Sequence, residues 1–315
     1  MKIGYFLPSE EHPPNTLVRH AKQAEDAGFE ALWISDHFHP WNDEQGESPL
    51  VWSVIGGISQ VTSLPVTTAV TCPTVRIHPV IIAQAAATSS LMLDGNFLLG
   101  VGSGEALNEH ITGAPWPNAS VRLAMLKEAV EVIRLMFDHD VVSFDGRFYT
   151  VNDARLYSRG EGRVPILVSG FGPKAIELAA EIGDGFITMA PSADDVKSYK
   201  YNGGKGPVQG GTKVCWAPTA DQAARTAHRL WANMLLPGEL AQVLPSPRHF
   251  EQASQLTTVD QMKEKLVCGP DPARHIEHLR KYQEAGFDEV YVSQIGDDVD
   301  GFFDLYRREV IPTFG

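Results

Sequence analysis

Cysteine is scarce in this chain of 315 residues: Cys72, Cys215 and Cys268 lie far apart, with no Cys-x-x-Cys pair among them. Such spacing fits neither a disulfide framework nor a zinc site, and a reducing, cytoplasmic setting is the expectation. Long apolar runs are missing too. Nowhere do 18 apolar residues follow one another, so no membrane span is expected. The opening run Met1–Leu7 is cut off by Pro8-Ser9-Glu10-Glu11-His12-Pro13-Pro14 before a secretory signal could form. Positive charge is in deficit, with 26 Lys and Arg against 39 Asp and Glu, a net −13. A nucleic-acid or anionic-membrane surface needs a positive stripe, which this balance does not supply, so the expected partner is a small molecule.

What the chain does have is a repeated alternation. An apolar run at 3–7 is followed by a Pro-led helical pattern from about Asn15 to Ala27, a Gly28 stop and a second apolar run at 31–34, which together read as one βαβ unit. The same corner returns at Glu181-Ile182-Gly183-Asp184-Gly185-Phe186 and at Glu284-Ala285-Gly286-Phe287, glycine being the residue that ends a helix in the left-handed conformation. Further strands read at 66–71, 97–101, 166–169 and 213–216, and with 186–188 and 290–293 the count reaches eight. Near-continuous apolar strands belong to a parallel sheet covered on both faces. Eight alternations predict an α/β fold of the (β/α)8 TIM-barrel type with insertions, in a single domain spanning 1–315; an open doubly wound sheet is the competing arrangement. The insertions are a hairpin around Asp145-Gly146 near 141–151, and two lid candidates, the glycine-rich stretch 199–211 and the region 236–265.

In such a barrel chemistry gathers at the carboxyl ends of the strands. Asp36-His37 follows the second strand and pairs a carboxylate with the side chain that titrates nearest neutrality, so His37 is the candidate base; a helix cap and a structural histidine is the other reading. His37 and His39 form a His-x-His, but no third ligand stands at the end of the last strand, where Val292-Ser293-Gln294 offers no carboxylate, and no metal is expected. Gly102-Ser103-Gly104-Glu105 and Gly170-Phe171-Gly172 are strand-to-helix turns whose N–H groups can face an anion or a carbonyl oxygen. The complete dinucleotide fingerprint, a Walker lysine and a Gly-x-Ser-x-Gly elbow are all absent. Glu105 can either reach the same cavity or serve its helix dipole.

Asp36-His37-Phe38-His39-Pro40-Trp41, Cys72-Pro73-Thr74-Val75-Arg76-Ile77-His78-Pro79, Leu98 to Glu109 and Gly183-Asp184-Gly185-Phe186 together resemble the coenzyme F420-dependent glucose-6-phosphate dehydrogenases of the luciferase-like superfamily. The likeness runs from Ile3 to Arg307, with its specific motifs in the first two-fifths. It implies a homodimeric oxidoreductase that moves hydride between a hydroxyl-bearing carbon, such as C1 of glucose 6-phosphate, and C5 of the deazaflavin. His37 would act as base, Glu105 as proton donor on the N1 side of the cofactor, and Trp41 and Glu10 would line the reaction site. Asp36, Val70, Ser103, Glu105, Asn108, Gly170, Phe171 and Gly172 would hold the cofactor, and the Ala69–Val70 peptide would be cis. An FMN-dependent monooxygenase on the same barrel is the alternative. The sequence departs from the family where the sugar phosphate is gripped: Ser192-Ala193-Asp194-Asp195 is acidic where a lysine is expected, and Lys265 alone stands near the expected arginine. Lys197, Lys200, Lys205 and Arg248 are the other cations at hand.

Overall fold

The computed structural model describes residues 1–315. Eleven strands are present: β1 (Lys2–Leu7), β2 (Leu32–Ile34), β3 (Val66–Thr68), β4 (Phe97–Val101), β5 (Val142–Asp145), β6 (Thr150–Ala154), β7 (Ile166–Ser169), β8 (Gly185–Thr188), β9 (Val208–Cys215), β10 (Val267–Cys268) and β11 (Glu289–Gln294). Eight of them, in the order β1-β2-β3-β4-β7-β8-β9-β11, pair in parallel, and β11 returns to β1, so the sheet closes into a barrel. The chain is a (β/α)8 TIM barrel, and the open sheet is excluded. β5 and β6 form a separate antiparallel hairpin. β10 is a two-residue strand beside the end of β9, too short to read in the sequence.

Alternation along each strand sorts the side chains. Tyr5 and Leu7 join the layer between sheet and helices, whereas Phe6, Trp33, Leu167, Ile187 and Tyr291 pack together inside the barrel. Trp33 stacks on Tyr291 with centroids 4.4 Å apart, filling the barrel floor. Gly28 and Gly286 end their helices at φ +92° and +89°. Gly183 does not follow them: its φ is −91°, and a Cβ there would stand 2.6 Å from the Ala179 carbonyl oxygen, so close approach is what demands glycine.

The stretch 199–211 is not a lid. Its first residues end the helix Ala193–Tyr201, and from Val208 it is barrel strand. Its glycines mark tight packing: Gly210 lies against Tyr282 and Phe287, and Gly211 against Trp33 and Met189, where any side chain would collide. The turn at 202–207 enters β9 from its amino end, the face opposite the strand carboxyl ends. The 236–265 region contains the helices Leu240–Val243, Pro247–Ser254 and Val259–Lys265, and its buried Phe250 meets Trp41 edge-on at 5.0 Å. No helix is long and apolar enough to cross a membrane.

Candidate active site

The carboxyl ends of β1, β2, β3, β4 and β7 are consecutive around the barrel, and they carry Glu10, Asp36-His37, Val70, Ser103–Glu105 and Gly170–Gly172 in that order. Glu10 and His37 meet: Glu10 Oε1 lies 3.6 Å from His37 Nε2, and Ser35 Oγ donates to Glu10 Oε2 at 2.7 Å. Burial pushes the Glu10 carboxyl up, but His37, Lys213 and the Ser35 hydroxyl outweigh it and hold it below the usual carboxylate range. Trp41 packs on His37 with ring centroids 5.1 Å apart.

Asn108 joins these groups to the β4 turn. Its Oδ1 accepts the N–H groups of Phe38 and His39 at 2.9 and 3.1 Å, which fixes the amide orientation. Its Nδ2 therefore points to His37 Nδ1 at 3.1 Å and to Glu105 Oε2 at 3.3 Å. The His39 carbonyl is a second neighbour of His37 Nδ1, at 3.3 Å.

Asp36 is buried and paired with Arg76 at 2.9 Å, and it accepts from the Thr71 hydroxyl. The Ala69–Val70 peptide is cis. Gly102 allows the β4 turn to press against that segment, since a Cβ there would stand 2.7 Å from Val70 Cγ2. The backbone N–H groups of Ser103, Gly104 and Glu105 donate to no protein acceptor, nor do those of Phe171 and Gly172. Two strand-end turns on one arc thus carry donors with no protein acceptor, which suits a ligand that offers acceptor oxygens or an anionic group.

The profile of the luciferase-like monooxygenases matches residues 1–289. The chain belongs to that family. Curated relatives named F420-dependent glucose-6-phosphate dehydrogenase include that of Microbacterium testaceum, 32% identical over 99% of this chain and 97% of its own length, and that of Amycolatopsis mediterranei, 31% identical over 99% and 98%. Among solved structures, an F420-dependent secondary alcohol dehydrogenase in complex with an F420-acetone adduct superposes with a TM-score of 0.91 at 32% identity, covering 100% of this chain and 99% of the other. The F420-dependent tetrahydromethanopterin reductase from Methanopyrus kandleri superposes at 0.78 and 20% identity, a likeness of fold.

Lys265 ends the helix Val259–Lys265, is exposed, and makes no ion pair or hydrogen bond with a site residue. Lys197 pairs with Asp194 on the surface, and Lys205 lies in the turn before β9, at the wrong end of the barrel. A cation inside the barrel at the carboxyl end of β9 is Lys213, which the sequence reading passed over. It is buried, and its Nζ lies 3.6 Å from the Trp231 ring centroid and 4.6 Å from that of Phe6. Its signal was a lysine inside an apolar strand at the same parity as Gln209 and Gly211. Arg76 was passed over as well, although its guanidinium serves both Asp36 and, at 3.4 Å, the wholly buried Glu109.

Proposed function

We propose that this protein is a coenzyme F420-dependent oxidoreductase acting on a CH–OH group, with His37 as the base. The His37–Glu10 pair at 3.6 Å, tied through Asn108 to Glu105, is the observation that carries this reading. The deazaflavin, when bound, accepts or returns the hydride at C5. The chain's own residues do the rest. His37 Nε2 takes the hydroxyl proton in the tautomer that places the ring proton on Nδ1 against the His39 carbonyl, a tautomer that the Asn108 Nδ2 hydrogens oppose, and the ionised Glu10 beside Nε2 stabilises the imidazolium that results. Trp41, held by Phe250, closes one side of the mouth and keeps water from that proton. The free N–H groups of Ser103, Gly104 and Glu105 would face the ring edge, with the Glu105 carboxyl beside its N1 side. Those of Phe171 and Gly172, at the start of the helix Pro173–Ile182, would face the anionic tail. Asp36, Val70, Asn108 and Gly170 would complete the cofactor site.

A cytoplasmic location and a homodimer belong to the same proposal, the latter to be read from the mass of the protein in solution. Titration with F420 and, separately, with FMN, followed by tryptophan fluorescence, tests the cofactor. Tight binding of F420 and its reduction by a secondary alcohol are the expected result. Preference for FMN would overturn the reading in favour of a flavin monooxygenase.

A further inference from the structure

Opposite the His37 arc, two polar groups at the top of the barrel interior have nothing to bond. On β9, Gln209 accepts from the Trp33 indole at 2.9 Å and Gly211 lies against the Trp33 ring, so Lys213, two residues on, also projects inward at the carboxyl end. Its register partner on β11 is Ser293, two residues beyond the inward-facing Tyr291. Lys213 is 5% exposed and Ser293 0%, and neither Nζ nor Oγ has a hydrogen-bond partner. The Trp231 and Phe6 rings support the ammonium through their faces and leave its N–H donors unspent. Unbonded buried groups of this kind cost free energy until a ligand oxygen meets them.

Resting on the dehydrogenase reading above, we propose that Lys213 and Ser293 form a subsite for a second, uncharged oxygen of the substrate, so that the substrates are neutral compounds with a hydroxyl beside the carbinol being oxidised. Neutrality follows from the surroundings. Burial pushes the Lys213 ammonium down, and Glu10 and Glu11 only partly offset this; Glu11, itself pushed up to about 7 by burial, is held by the Gly296 N–H at 2.7 Å and the Trp231 indole at 2.5 Å. A hydroxyl accepts from the ammonium and donates to a carboxylate, whereas a phosphate offers only acceptors and negative charge to the same carboxylates. Lys213 lies over Phe6 of β1, the strand that leads to Glu10, and Glu10 stands 3.6 Å from His37 Nε2, so the subsite adjoins the reacting carbon.

The test compares 2,3-butanediol with 2-butanol, a matched pair differing by one hydroxyl, using the F420-loaded wild type, Lys213→Met and Ser293→Ala. The diol-to-alcohol ratio of kcat/KM should fall at least tenfold in Lys213→Met and severalfold in Ser293→Ala, through KM. A ratio unchanged in both variants overturns the subsite while leaving the dehydrogenase intact. Should Lys213→Met not fold, Ser293→Ala and Lys213→Gln decide on the same ratio. Titration with D-glucose and glucose 6-phosphate, followed through the fluorescence of Trp231 and its neighbours, gives a readout that needs no turnover. Quenching by glucose that is lost in the variants supports the subsite even if no alcohol is oxidised, a result that would count against the dehydrogenase reading alone. No quenching and no turnover, or tighter binding of glucose 6-phosphate than of glucose, overturns the proposal.

Discussion

Asn108 Nδ2 lies 3.1 Å from His37 Nδ1, and the same amide oxygen is fixed by the two N–H groups that follow His37 in the chain. The amide therefore presents hydrogens, not an acceptor, to the ring nitrogen that must carry a proton when Nε2 serves as base. Asn108→Asp keeps the two accepted N–H bonds and turns the other side into an acceptor for Nδ1–H. The imidazolium is then favoured, and the acid limb of the pH–kcat/KM profile should move to higher pH. An unmoved limb would mean that His37 is not the group whose ionisation the profile reports.

Glu10→Gln preserves the shape beside His37 and the bond from Ser35 but removes the charge. The imidazolium formed during oxidation loses its partner, so kcat should drop by roughly 10- to 100-fold, a share of the 10²–10⁴ a positioned base provides. The F420 affinity should be nearly unchanged. A loss confined to cofactor binding would assign Glu10 to the cofactor site instead.

Arg76 neutralises two carboxylates at once, Asp36 at 2.9 Å and Glu109 at 3.4 Å, with side-chain exposures of 7%, 1% and 0% for the three. Burial pushes the Glu109 carboxyl up, and the Arg76 N–H and guanidinium only partly offset this. Arg76→Met leaves both carboxylates buried without a counter-charge, and urea unfolding should show a loss of about 3 kcal/mol. A loss within 0.5 kcal/mol would mean that water already reaches the cluster.

The barrel was legible because its strands are apolar runs, three of them introduced by Gly-Phe corners, and the first arc of the site because Asp36-His37, Glu105 and the two glycine turns sit directly after such runs. The start of β9 was illegible for a physical reason. Gly210 and Gly211 read as loop residues, yet they are strand residues thinned to admit Tyr282, Phe287, Trp33 and Met189, partners that lie up to 178 positions away in sequence. Placing that strand five residues late hid the inward parity of Lys213. Arg76 and Glu109 stood inside quoted motifs, but their pairing spans two strand ends, which only the barrel's closure brings together.

Acid should destabilise the fold through its buried histidines. His12 and His20 meet edge-to-face at 4.7 Å, both nearly inaccessible, His20 also against Phe303. Burial, then the neighbouring His12 and Arg19, hold His20 down at about 3, and burial holds His12 below its ordinary value despite Asp297 and Glu10. The unfolded chain takes up a proton at His20 near pH 6.5, whereas the folded chain does so only near 3. The stabilising contribution is therefore complete above 6.5 and is lost as pH falls through the window between these values, at up to about 1.4 kcal/mol per pH unit. His20→Leu removes this titration together with the unbonded Nδ1, so the decline of Tm between pH 6.5 and 5 should become shallower than in the wild type. His278, held at about 4 chiefly by burial, supplies part of the slope that remains. An identical decline in the variant would transfer the acid sensitivity to His278 and the other buried histidines, His12 and His275.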